Sequence, residues 1–274
     1  MASRKERKDQ ARAARVAGEA QAAKAARVQR WRMLGGTAVA AVIVVAVVIA
    51  VSIGGENKGH GVATGRAGRR LVSLVDAALR GIPEHGVVLG RADARYTLTL
   101  YGDLQCPICA ALANGEDGSG FPRFIQDQVR AGHARIVYRS FCTATCNSFP
   151  ASLFDEQQTA AYAAGMQHRF WYFEELFYRQ QGPEGTPYVT PAFLSRIAHQ
   201  IPGLNLALWS KDRHEPTLLG RVEADEHAAV KQLPVINGGR GTPGLIMSGP
   251  RGTRLVAEGV ASYDALTAAM KAVS

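Results

Sequence analysis

The 274-residue sequence predicts an α/β domain with a block of helices inserted into its sheet, preceded by a single membrane-spanning helix. Three observations predict it. A charge-free run, Leu34 to Ile53, follows a strongly basic tail. A strand-like segment, Tyr96-Thr-Leu-Thr-Leu100, leads directly into the pair Cys106 and Cys109. Strand patterns then stand on either side of a stretch with helical period, about residues 150–232.

The formal charge of +9 is unevenly placed. Residues 1–32 carry ten Lys and Arg against three acids, a net +7, which leaves +2 on the other 242 residues. The body is nearly neutral, so a basic nucleic-acid face is not supported. The apolar run matches the ~20 residues needed to cross a bilayer. Its basic flank is N-terminal, and Lys and Arg favour the cytoplasmic side. Residues 1–32 are therefore expected as a cytoplasmic tail able to meet anionic headgroups of the lipid bilayer, and 33–55 as a transmembrane helix. The catalytic part is then extracytoplasmic, in a single-pass protein of the cell membrane. A cleaved signal peptide is the competing reading, since Ala50-Val-Ser52 offers a small-x-small site. The run is nonetheless longer than a signal core of ~7–15 residues. Either reading places the cysteines in an oxidising compartment, where disulfides are favoured over zinc.

Residues 56–84 read as a glycine-rich linker and a short amphipathic helix, with Leu71, Val72, Leu74, Val75, Ala78 and Leu79 at helical spacing. The main domain is expected over 85–274. Val87-Val-Leu89 and Tyr96–Tyr101 are strand candidates. A helix should begin near Cys106, with Pro107 tolerated in its first turn. Gly115–Gly120 should interrupt it, and Phe121–Ala131 resume it. Ala134–Ser140 is a further strand. Asp155–Arg179, Pro191–Gln200 and Leu218–Lys231 carry helical period. Gly244-Leu-Ile-Met247, the turn Gly249-Pro-Arg-Gly252 and Leu255-Val-Ala257 form a hairpin, and Ser262–Ala272 a closing helix. A strand that feeds a Cys-x-x-Cys at a helix start is the thioredoxin arrangement, so the fold expected is a thioredoxin fold with an inserted helical domain.

The segment from Val88 to Cys109, ending Tyr-Gly-Asp-Leu-Gln-Cys-Pro-Ile-Cys, resembles the opening of DsbA-like thiol–disulfide oxidoreductases. Phe170-Trp-Tyr-Phe-Glu-Glu-Leu-Phe177 resembles their Phe-Trp helix, and Gly241-Thr-Pro-Gly-Leu-Ile-Met247 their Gly-Thr-Pro strand. The resemblance covers about residues 86–273. It implies that Cys106 is the nucleophile and Cys109 the resolving thiol. It also implies that Pro107 and Ile108 tune the pair, and that Thr242 and Pro243 form the cis-proline loop beside it. Clients would be exported proteins with cysteine thiols, and reoxidation would fall to a membrane partner of the DsbB or vitamin K epoxide reductase type. Two departures stand out. Leu100 occupies a position where many members carry a Glu that accepts a proton from the resolving thiol, although Asp103 is present nearby. Ile108 replaces the His of DsbA itself, so this dipeptide brings no charge or side-chain hydrogen bond to the thiolate.

The remaining cysteines, Cys142 and Cys146, have a spacing that suits a structural disulfide. A second redox pair or a zinc site shared with Cys106 and Cys109 are the alternatives. The seven histidines are scattered and none adjoins a cysteine, so no metal is expected. No phosphate-binding loop or dinucleotide fingerprint is present, so no cofactor is implied. The leading function is oxidation of client cysteine pairs. A reductase or isomerase of the same chemistry and a non-catalytic peptide-binding module are the alternatives.

Overall fold

A computed structural model describes residues 61–236 and 238–274. The tail, the apolar run and most of the linker lie outside the described residues. Among the described residues no helix is long and apolar enough to cross a membrane.

The first helix among the described residues is α1 (Gly65–Leu79), which buries Val75 and Leu79 while Leu74 stays exposed. Two short strands follow, β1 (Glu84–His85) and β2 (Val88–Leu89), and then β3 (Tyr96–Gly102). Helix α2 (Pro107–Asn114) starts directly after the redox turn. It ends at Gly115, whose φ of 77° is the left-handed conformation a glycine reaches without strain. Helix α3 (Phe121–Phe124) runs into a π turn (Ile125–Val129), and strand β4 (Ala134–Ser140) follows.

The helical block comprises α4 (Ala144–Ser148), α5 (Ala151–Met166), α6 (Phe170–Tyr178), α7 (Pro191–His199), α8 (Leu206–Asp212) and α9 (Pro216–Gln232). It sits between β4 and the hairpin β5 (Gly244–Gly249) and β6 (Gly252–Glu258). Helix α10 (Tyr263–Ala272) closes the chain, with the Ser262 side chain accepting from Ala265 N as its cap. The run 155–179 is two helices, not one. His168, at φ 57°, turns the chain between α5 and α6, and Gln167 on the same turn bonds both ways with the Asn205 backbone.

Among the described residues six strands form one sheet, ordered β1-β2-β4-β3-β5-β6. Strands β3 and β4 run parallel, with Leu100 opposite Tyr138, and every other pair is antiparallel. The central strand β3 thus delivers its C-terminal end to the start of α2. Helix α6 packs against α1, α2 and α5. It buries Phe170, Trp171, Phe173 and Phe177 completely, and Trp171 Nε1 donates to Val87 O at 3.2 Å. This is a thioredoxin fold with a helical insertion.

Candidate active site

Strand β3 ends at Gly102, and Asp103 to Cys106 form a tight turn in which Cys106 N donates to Asp103 O at 3.0 Å. Cys106 is the N-cap of α2, with extended backbone, and Pro107 occupies the first helical turn. From α6 and the turn after it, Tyr178 Oη donates to Asp103 O at 3.4 Å. Gln181 Nε2 donates to Leu104 O at 2.8 Å and Cys106 O at 3.1 Å. The turn is therefore pinned by the inserted helices as well as by the sheet.

The hairpin completes the site. The Thr242–Pro243 peptide is cis, and Thr242 O accepts from Cys106 Sγ at 3.3 Å. Cys106, Cys109, Thr242 and Pro243 are thus brought to one place, with both cysteines as free thiols. Pro107 and Ile108 face outward, and Ile108 is 43% exposed, so the outer wall of the site is apolar. Leu100 is buried in β3. Cys142 and Cys146 are joined by a disulfide, with Cα atoms 5.7 Å apart. Among the described residues no group of three or more His, Cys, Asp or Glu could hold a metal ion.

The two thiols differ sharply. The Cys106 thiol is brought down to about 7, first by a hydrogen bond from the Cys109 thiol. Burial opposes this, while the Thr242 side chain and the N–H groups of Cys109 and Ile108 support it. The donors at a helix start are the physical reason that a thiolate is favoured there. Cys109 is completely enclosed, and burial pushes its thiol well above the ordinary range, with the neighbouring Cys106 adding to the rise. Near neutral pH Cys106 is therefore partly ionised, whereas Cys109 keeps its proton.

The sequence gives Asp103 no settled role and leaves Gln105, Thr143, Thr145 and Gln157 unassigned. Asp103 is wholly buried and accepts hydrogen bonds from Gln105, Thr143, Thr145 and Gln157. Its position three residues before Cys106 was visible, but its donors lie about forty or more residues away in the sequence for all but Gln105.

A thioredoxin family model matches residues 83–237, more than half of the sequence. The chain belongs to the thioredoxin family. The family match spans the redox turn and the whole helical insertion. Two curated relatives are probable disulfide bond formation protein D of Bacillus anthracis and of Bacillus cereus. The first is 25% identical over 162 residues, covering 59% of this chain and 69% of that protein. The second is 24% identical over 164 residues with the same coverage. Among solved structures, oxidised BdbD from Bacillus subtilis superposes with a TM-score of 0.55 at 18% identity, covering 70% of this chain and 98% of that one. Wolbachia pipientis α-DsbA1 gives 0.52 at 14% identity, covering 68% and 89%. These likenesses show a DsbA-type thioredoxin fold. With the free dithiol at the start of α2 and the relatives concerned with disulfide bond formation, the protein is a thiol–disulfide oxidoreductase of the thioredoxin family.

Proposed function

We propose that the protein donates disulfides to exported client proteins from the extracytoplasmic face of the cell membrane, anchored by residues 33–55. The asymmetry of the dithiol carries this reading. A Cys106 thiol lowered below its ordinary range beside a protonated, enclosed Cys109 fits the pair for thiol–disulfide exchange, and the lowering shifts its disulfide toward the oxidising side of an unperturbed dithiol. The names of the curated relatives support the same direction.

The cycle begins with the Cys106–Cys109 disulfide. A client thiolate attacks Cys106 Sγ, the enzyme S–S bond breaks, and Cys109 leaves and takes up a proton. A second client thiolate then attacks the client sulfur of the mixed disulfide, and Cys106 leaves as the thiolate. Two electrons have passed from client to enzyme. A quinone-linked membrane partner of the DsbB or vitamin K epoxide reductase type removes them and restores the disulfide. Thr242, whose carbonyl faces Cys106, lies where the backbone of a client peptide would pair.

Oxidation of a reduced two-cysteine peptide by the full-length protein tests the proposal. Stoichiometric disulfide formation, with Cys106 and Cys109 recovered as thiols, is the expected result. A chain that instead reduces insulin and fails to oxidise the peptide is a reductase. A chain inert in both assays is a binding module.

A further inference from the structure

The ring closed by Cys142 and Cys146 contains Thr143 and Thr145, and both bond to residues of the redox site. Thr143 N and Thr145 N donate to Asp103 Oδ2 at 3.0 and 2.8 Å, and Thr145 Oγ1 donates to Asp103 Oδ1 at 2.6 Å. Gln105 N and Gln157 Nε2 complete the set on Oδ1 at 3.0 and 3.4 Å. A carboxylate buried as Asp103 is would be costly without such donors. Three of the five come from the disulfide ring.

A second link leaves the same ring. Thr143 Oγ1 is hydrogen-bonded to Thr242 Oγ1. Thr242 in turn meets Cys106 through its carbonyl, 3.3 Å from Sγ, and through its side chain. A hydroxyl has a single proton to give. When the Thr242 proton is directed to the Cys106 thiolate, the Thr143 proton must be directed to Thr242 Oγ1. The two bonds then reinforce each other.

We propose that the Cys142–Cys146 turn is a positioning element of the redox site: its disulfide holds Thr143 and Thr145 where they compensate Asp103 and orient Thr242, and so governs how readily Cys106 carries a thiolate. The proposal rests on Cys106 and Cys109 being the reacting pair. No electrons pass between the two pairs. With the ring opened, Asp103 loses fixed donors and the Thr242 hydroxyl loses its own. Both changes disfavour negative charge at Cys106, so the reduced enzyme is less stabilised and its disulfide becomes a weaker oxidant.

The test compares the full-length wild type with Cys142→Ser/Cys146→Ser and with Thr143→Val, which keeps the ring. Two readouts are taken: glutathione redox titration of Cys106–Cys109, and the pH profile of Cys106 alkylation. Far-ultraviolet circular dichroism checks the fold of each. In the double variant the equilibrium constant for oxidation by glutathione should rise about tenfold, equivalent to about 30 mV toward reducing potentials. The Cys106 alkylation profile should move to higher pH. Thr143→Val should move both readouts in the same direction by less. Folded variants with the wild-type potential and profile would overturn the proposal. If the serine variant does not fold, Thr143→Val and Thr145→Val decide alone. A wild type with no Cys106–Cys109 redox equilibrium would remove the underlying reading, an outcome distinct from unchanged variants of a working enzyme.

Discussion

The two cysteine pairs of this chain lie on adjoining turns and are put to opposite uses by their neighbours. Cys106 and Cys109 straddle the first turn of α2, where N–H groups point at one sulfur and burial encloses the other. Cys142 and Cys146 close the turn that follows β4, where the N–H groups of Thr143 and Thr145 point away from sulfur and onto a carboxylate. Spacing alone does not separate these roles. The direction of the backbone donors does: donors aimed at sulfur stabilise a thiolate, whereas donors aimed at Asp103 leave the sulfurs as a clasp.

The largest effect should come from removing the sulfurs themselves. Cys106→Ala should abolish disulfide transfer, whereas Cys142→Ser/Cys146→Ser should retain it at an altered potential. Cys109→Ala should accumulate mixed disulfides with clients, visible as higher-mass species on non-reducing gels. It also removes the leading hydrogen bond to Cys106, so the Cys106 thiol should titrate above about 7, read from the pH profile of iodoacetamide labelling. Equal transfer by the Cys106→Ala variant and the serine pair would erase the distinction between the two turns.

The next effect lies between the pairs, at Asp103. Asp103→Ala leaves Thr143 N, Thr145 N and Gln105 N without their acceptor in a buried region. Each orphaned buried group costs about 1–3 kcal/mol. A loss of about 3 kcal/mol or more in denaturant unfolding of the oxidised protein is expected. A change below about 1 kcal/mol would show that water or neighbouring groups replace the carboxylate, and that the two turns are not joined through it.

How much of this was legible in the sequence follows from how local each signal is. The Cys-x-x-Cys, the strand before it, the Gly-Thr-Pro loop and the hairpin turn are contiguous patterns, and the structure places them as β3, α2, β5 and β6. The break at His168 was not legible. Apolar residues on both sides of it keep a helical period, and a left-handed His has no compositional mark comparable to a glycine. The donors of Asp103 were not legible either. Thr143-Ala-Thr145 reads as an ordinary polar loop, and Gln157 as the polar position of a helix. Both become buried only when β4 and α5 are stacked over the redox turn. Glu174 and Glu175 were hidden by the rule that charge marks the exposed face of a helix, because α6 is enclosed on nearly every side.

A smaller effect should sharpen the contrast from the outer wall of the site. Ile108 offers no side-chain donor to Cys106, and with the thiol at about 7 the pair resembles thioredoxin more than DsbA in acidity. The reduction potential should therefore lie between about −120 mV, the value for DsbA, and about −270 mV, that for thioredoxin. Ile108→His should make the disulfide more oxidising, by about tenfold in the equilibrium constant with glutathione, or about 30 mV. The gain should be larger at pH 6, where the imidazole is charged, than at pH 8. The same potential before and after substitution would mean that the backbone donors alone set the pair. An equivalent histidine in the second turn should have no such effect, since its two sulfurs are joined to each other and present no thiolate.

The smallest effect concerns the buried carboxyl that lacks what Asp103 has. Glu174 on α6 is completely enclosed, and neither of its oxygens has a hydrogen-bond partner among the described residues. Burial pushes its pKa well above the usual carboxylate range, with Glu175 adding to the rise and Arg179 opposing it. The folded protein therefore keeps a proton on Glu174 at pH values where the unfolded chain has lost it. In that window the native state binds more protons, so stability falls as pH rises. The contribution is fully present below the unfolded value near 4.5 and is progressively lost above it, up to the raised folded value. Glu174→Leu fills the same space without a polar group. It should stabilise the protein by about 1 kcal/mol at pH 8 and by less at pH 5, measured by urea unfolding at both. Destabilisation at pH 8 would reveal a partner for the carboxyl and make Glu174 a second hub of the kind formed at Asp103. A pH-independent gain would show that it is packing, not proton uptake, that distinguishes the two acids.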